Sequence, residues 1–234
     1  MSEQKVAVIG GTGDLGFGLA LRWALAGVQV IIGSRDENKA KEAAQRVRET
    51  LKAHAPNQPT ELSVSGLENA QAAAKASVVV LAVPISAQIA ILKSIRNSLQ
   101  GAILVDTTVP LAAALGGKQT RMLGLPQGSA AAQARELVPV TTPVLAAFHN
   151  VSAEALQDLS VTPECDILVC GNDEAAKQIL FPLVTLIPGL RPVDAGPLEV
   201  SRIVESITAL LISVNRRYRV HHSGIRITGV ETKS

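Results

Sequence analysis

Val6-Ala7-Val8-Ile9 is an apolar run that ends on Gly10 and passes at once into Gly11-Thr12-Gly13-Asp14-Leu15-Gly16. A helix-like stretch over residues 15–26 follows, and Gly27 stands where its C-cap belongs. A buried strand that turns this tightly into a helix leaves few folds open. Gly11 permits the turn, Gly13 lets another group approach the backbone, and Gly16 lets helix and strand pack closely. Free N–H groups at the start of the helix then face outward, where they suit the pyrophosphate of a dinucleotide. Gly10, Gly11, Thr12, Gly13, Asp14, Leu15 and Gly16 are the residues assigned to that turn.

The alternation continues along the chain. Strands are predicted over residues 28–32, 62–64, 77–83, 102–107 and 144–148, with helices over 37–54, 67–75, 87–98 and 129–137 between them. Residues 55–59 break the first long helix. Short strands over 167–169 and 191–194 flank a helix over 174–186, and a last helix spans 197–217. This order predicts an α/β protein: a Rossmann-type doubly wound parallel sheet with a small C-terminal α/β extension. Residues 1–152 form the binding domain in this reading. Residues 153–234 complete a second pocket and supply a dimer interface. Aromatics are only 2% of the residues, so aliphatic side chains must fill the core, which suits helices packed on a parallel sheet. The same shortage, with a net charge of +2, argues against a nucleic-acid partner.

The end of the second predicted strand reads Gly33-Ser34-Arg35, with Lys39 one helical turn further on. An NAD site places an acid there, about 20 residues past the glycines, to bind the ribose hydroxyls. A hydroxyl and a guanidinium instead suit a 2′-phosphate. Ser34, Arg35 and Lys39 therefore predict NADP(H). Asp36 and Glu37 fall at the start of the next helix, where acids favour the dipole. Val83, at the end of the fourth strand, joins the cofactor set.

Beyond these motifs the chain resembles a known family, the NADPH-dependent reductases of the deazaflavin coenzyme F420. The resemblance runs over nearly the whole length. It is carried by Ile9–Gly16, Gly33-Ser34-Arg35, Gly128-Ser129-Ala130-Ala131, Phe148-His149-Asn150, Val169-Cys170-Gly171-Asn172-Asp173 and the block from Gly189 to Ser206. Related Rossmann domains of membrane ferric reductases share parts of it. The resemblance implies hydride transfer between NADP(H) and coenzyme F420, with no nucleophile supplied by the protein. It also implies an acceptor pocket of Pro84, Val109, Pro110, His149, Ser206 and Thr208. On residue type alone, His149 also reads as a structural histidine, and Ser206 and Thr208 as helix hydroxyls bonded to carbonyls one turn back.

Other expectations follow. Arg202 and Glu205, three apart on the last helix, are expected to pair with each other. The basic run Arg216-Arg217-Tyr218-Arg219-Val220-His221-His222, with Arg226, reads either as a solvated helix end or as a grip on the acidic tail of the acceptor. Ile203, Val204, Ile207, Leu210, Leu211 and Val214 make the final helix apolar around much of its surface, which predicts a homodimer. Cys165 and Cys170 lack metal-ligand spacing, no metal is expected, and no run approaches the roughly 20 apolar residues of a membrane span. A cytoplasmic protein with small-molecule partners and no membrane or nucleic-acid partner is the expectation. Two other readings stay open: an NADPH-dependent reductase of a flavin, an imine or a ferric chelate, and a non-catalytic NADP(H)-sensing module.

Overall fold

The computed structural model describes residues 4–54 and 63–230. The predicted break at 55–59 lies outside the described residues. Eight strands form one sheet: β1 (Lys5–Ile9), β2 (Gln29–Ser34), β3 (Val64–Glu68), β4 (Val78–Leu81), β5 (Ile103–Asp106), β6 (Val144–Ala146), β7 (Cys165–Gly171) and β8 (Leu190–Gly196). Their order is β3-β2-β1-β4-β5-β6-β7-β8. All pairings are parallel except β6 with β7. The chain moves outward from β1 to β2 and β3, then returns to place β4 on the other side of β1. That reversal opens a crevice beyond the carboxyl ends of β1 and β4, the place where doubly wound sheets bind ligands.

The helices are α1 (Asp14–Leu25), α2 (Glu37–His54), α3 (Asn69–Ala74), α4 (Ile85–Ile95), α5 (Ala130–Leu137), α6 (Ala153–Gln157), α7 (Glu174–Thr185) and α8 (Ser201–Tyr218). They cover both faces, so the central strands are buried on both sides and read as continuous apolar runs. Val6 and Val8 face one core with Trp23, Val30 and Ile32. Ala7 and Ile9 face the other with Leu81 and Leu92.

The C-terminal part is locked onto α1. Arg22 is buried and donates to the carbonyls of Ala155 (2.7 Å), Leu156 (2.9 Å), Asp158 (2.6 Å) and Val161 (2.7 Å), so one guanidinium caps the end of α6. Gly18 lets the two helices touch, since a Cβ there would stand 2.6 Å from the Leu156 Cβ. Trp23 reaches α7, donating to the Leu183 carbonyl at 2.8 Å, and meets Phe148 edge-on.

Several boundaries differ from the sequence reading. The third strand begins at Val64 rather than ending there, and the following helix starts at Asn69. Gly66 sits inside β3, where the α2 backbone passes over it. A Cβ on Gly66 would lie 2.2 Å from the Ala40 carbonyl carbon. β6 stops at Ala146, short of Phe148, whose φ of 65° is left-handed. β8 is longer than expected and carries Pro192, which an edge strand tolerates because one row of its N–H groups has no partner strand.

The C-terminal segment lies against β7. The Asp166 N–H donates to the Ile225 carbonyl at 2.8 Å, and Ile227 N–H donates back to the Asp166 carboxylate at 2.7 Å. Arg191 and Arg226 both hold that carboxylate. Burial alone would raise the Asp166 carboxyl, but these donors overcome it and hold it at about 2. Arg226 is thus engaged with Asp166 and separate in role from the rest of the basic run.

Candidate functional site

The turn after β1 is built as its glycines require, with one shift. The left-handed residue is Gly10 (φ 82°), one place before the motif, and a Cβ on it would stand 2.3 Å from the Ala82 carbonyl oxygen. This brings β1 and the end of β4 into contact at the crevice. Gly16 meets its expectation: a Cβ there would lie 2.7 Å from the Gly10 carbonyl oxygen, so α1 approaches the turn too closely for a side chain. Gly13 is the N-cap of α1, and no side chain caps the first turn. Its N–H groups and dipole are therefore directed at the crevice.

A cleft of about 520 Å³ lies here, lined by Gly10, Thr12, Gly13, Ser34, Arg35, Asp36, Lys39, Asn69, Ala82, Val83, Pro84, Ala87 and Ile91. Of the residues expected to hold the cofactor, it gathers Gly10, Thr12, Gly13, Ser34, Arg35, Lys39 and Val83. Gly11 and Gly16 support the turn from beneath, and Leu15 packs on the core. Asp14 lines a separate groove with Ala153, Glu154, Gln157 and Asp158. Its carbonyl accepts from Gln157 Nε2 at 2.9 Å. Sequence reasoning missed Asn69, Ala82, Ala87 and Ile91. Ala87 and Ile91 lie one turn apart on α4 and Ala82 follows β4, whereas the sequence reading places Asn69 inside a helix rather than at its start.

Electrostatics at the β2 end favour an anion. Asp36 is exposed, yet its carboxylate caps α2, accepting from Asn38 N–H at 2.9 Å, while its own N–H donates to Ser34 Oγ at 3.2 Å. Glu37 pairs with Lys41 at 2.7 Å. Glu68, opposite Ser34 across the β2–β3 pair, caps α3 by accepting from Ala70 N–H at 2.8 Å. Each nearby acid is occupied. Arg35 and Lys39 are exposed and form no ion pair with an acid among the described residues.

The residues expected on the acceptor side spread over the ends of β4, β5 and β6 and the flank of α8. Pro84 lines the cleft itself. Val109 and Pro110 follow β5 and start an excursion that returns on itself, with Ala112 N–H donating to Arg121 O at 2.8 Å and Leu123 N–H to Pro110 O at 2.7 Å. The far part of that excursion meets α8, where Arg216 donates to Gln119. His149 is buried, and neither ring nitrogen has a hydrogen-bond partner among the described residues. Burial drives its pKa down to about 3, so the ring is neutral at pH 7 and carries one N–H. Thr208 Oγ1 donates to the His149 carbonyl at 2.6 Å, which ties α8 to this loop. Ser206 Oγ donates one turn back, to Arg202 O at 2.8 Å.

The expected Arg202–Glu205 pair does not form. Glu205 is fully buried and accepts from Ala130 N–H (2.9 Å) and Ala131 N–H (3.1 Å), while Arg202 lies exposed. The first turn of α5 needs an acceptor at its positive end, and a buried carboxylate answers that better than a surface pair worth a few tenths of a kcal/mol. A second buried acid belongs to the same network. Asp106 accepts from Gln88 Nε2 (2.6 Å) and Thr108 N–H (2.7 Å), and Gln88 Nε2 also donates to Ala130 O at 3.0 Å. Burial pushes Glu205 up to about 7, with the charge of Asp106 adding to the shift and the α5 N–H groups opposing it. Burial likewise raises Asp106 to about 6. Sequence reasoning gave no sign of this pair, which links α4, β5, α5 and α8.

A Rossmann-type sheet with a glycine-built turn at its switch point, and cations at the end of its second strand that pair with no acid among the described residues, defines a dinucleotide-binding scaffold. Known proteins narrow the class. Residues 5–110 match the family described as NADP oxidoreductase, coenzyme F420-dependent. The F420-dependent NADP reductase of Methanocaldococcus jannaschii is 45% identical over 227 residues, covering 97% of this chain and 99% of that protein. The one from Methanothermobacter thermautotrophicus is 47% identical, covering 97% and 95%. Among solved structures, a chain from Arthrobacter sp. FB24 proposed to be an F420 dependent NADP-reductase superposes with a TM-score of 0.79 at 25% identity, covering 96% of this chain and 99% of that one. The chain belongs to the F420-dependent NADP reductase family. No helix among the described residues is long and apolar enough to cross a membrane.

Proposed function

We propose that this protein transfers a hydride between NADP(H) and coenzyme F420. The observation that carries the reading is the cleft at the β1/β4 switch point, where Arg35 and Lys39 pair with no acid among the described residues, in a chain 45% identical over 97% of its length to an F420-dependent NADP reductase. When both are bound, the dinucleotide and the deazaflavin supply the hydride chemistry themselves. The chain's task is to bind, align and dry them.

Gly10, Gly11, Thr12 and Gly13, with the first turn of α1, bind the pyrophosphate in this reading. Ser34, Arg35 and Lys39 bind the 2′-phosphate, and Val83 packs on the dinucleotide. Pro84, Val109, Pro110, His149, Ser206 and Thr208 surround the acceptor. The neutral His149 ring offers an N–H donor from an apolar setting, which suits a ring carbonyl that gains negative charge. Residues 1–152 provide the dinucleotide half of the site, and residues 153–234 contribute α8.

Anaerobic mixing with NADPH and oxidised F420, followed by visible absorbance, tests the reading. Rapid bleaching with NADPH and little with NADH is expected. NADPH binding with no bleaching would refute F420 as the acceptor.

The working form in this proposal is a cytoplasmic homodimer. Ile203 and Leu210, seven residues apart on α8, are each 57% exposed, and an apolar stripe of this kind suits the core of a subunit contact. Sedimentation at micromolar concentration should give twice the 24.4 kDa chain mass. Ile203→Asp with Leu210→Asp should give the single mass. A wild-type monomer would count against the dimer.

A further inference from the structure

We infer that Asn69 is a recognition residue for the 2′-phosphoadenosine end of the dinucleotide. The inference rests on the NADP reading above and adds a residue to it.

Asn69 opens α3 directly after β3, and the pairing of Ser34 with Glu68 puts it beside the end of β2. It lines the cleft together with Ser34, Arg35, Lys39, Val83, Ala87 and Ile91. Its side chain is 2% exposed, and its Oδ1 has no hydrogen-bond partner among the described residues. That oxygen lies over Gly33, where a Cβ would stand 3.1 Å from it. Neither polar neighbour bonds to it. Glu68 accepts from Ala70 N–H, and Ser34 Oγ accepts from Asp36 N–H.

An amide buried this way is unfavourable for folding, because its lost hydration is not replaced. Leucine has nearly the same shape and would occupy the position without that penalty. With Oδ1 held against Gly33, the end that a ligand in the cleft would meet is Nδ2, a donor that makes no hydrogen bond among the described residues. A neutral amide matches a ribose oxygen or a phosphoryl oxygen held at a fixed place. Arg35 and Lys39, exposed at the mouth, supply charge over a wide range of positions. Asn69, buried in the lining, supplies the position.

Asn69→Leu separates this role from a structural one. Titration calorimetry with 2′,5′-ADP should show Kd raised roughly tenfold, as for one hydrogen bond to a charged or polarised group. The melting temperature of the ligand-free protein should stay level or rise. A Kd for 2′,5′-ADP equal to wild type would overturn the inference, and an accompanying fall in melting temperature would assign Asn69 to the fold. Asn69→Ser provides the same comparison if the leucine variant does not fold. The wild-type protein is the control for the underlying reading. Failure of wild type to bind 2′,5′-ADP overturns the NADP site, whereas equal binding by wild type and variants overturns the role of Asn69 alone.

Discussion

Arg35→Ala combined with Lys39→Ala is expected to raise the KM for NADPH about 30- to 150-fold while leaving that for NADH within about threefold. A 2′-phosphate carries close to two negative charges, and a charge-assisted hydrogen bond to it contributes more than a neutral one. Both side chains are exposed, so water and salt screen them, and about 1–1.5 kcal/mol each is the appropriate scale. Two such losses give about 2–3 kcal/mol, which is the stated range. The structure removes the usual competitor for these cations. Asp36 and Glu68 are held by helix N–H groups and Glu37 by Lys41, so no acid must be displaced before the phosphate binds. Steady-state kinetics with both nucleotides at low and moderate salt check the prediction. The wild-type KM for NADPH should rise with salt, and the double variant should lose most of that dependence. A change below threefold for NADPH would place the 2′-phosphate elsewhere.

The part of the site that reads from sequence is local in the chain. Gly11 to Gly16 and Ser34-Arg35 act within a few residues of the strands that present them, so spacing alone locates them. Even there, the left-handed residue is Gly10, because the tight contact is with Ala82, just past the end of β4 and distant in sequence. Gly66 shows the same blindness in the fold. The predicted third strand stops at Val64, short of it, and only the passage of α2 over β3 explains a glycine inside that strand. Arg202 and Glu205 show it on α8. Helical spacing predicts a surface pair, but the demand that turns Glu205 inward comes from α5, 75 residues distant. Asn69 was hidden by a boundary error of two residues, since its role depends on being the first residue of α3 beside Gly33. The family resemblance named the acceptor-side residues, and the structure supplies what joins two of them, the bond from Thr208 to the His149 carbonyl.

Glu205 should make the stability of the protein fall as pH rises through neutrality. Its carboxyl has a folded pKa of about 7 against an ordinary value of 4.5, so the folded state holds the proton more tightly than the unfolded chain. The stabilising contribution is full below about pH 4.5 and is lost as pH rises through 7. Asp106, raised to about 6, acts with the same sign. A shift of this size in Glu205 corresponds to a loss on the order of 3 kcal/mol across the window. Glu205→Gln removes that titration and turns an amide N–H₂ toward an α5 N–H, a mismatch of about 1–3 kcal/mol. Urea unfolding at pH 5.5 should therefore find the variant clearly less stable than wild type. At pH 8.5 the gap should narrow or close, because ionised Glu205 and Asp106 then repel each other only in the wild type. A gap of equal size at both pH values would rule out Glu205 as the titrating group. The same loosening has a functional arm. α8 carries Thr208 and is pinned to α5 by Glu205, so the KM for the acceptor should rise at alkaline pH in the wild type, and that rise should flatten in Glu205→Gln. Arg35 and Lys39, which set the affinity for the 2′-phosphate, lie outside that network, so the KM for NADPH should differ between the two proteins far less than the KM for the acceptor.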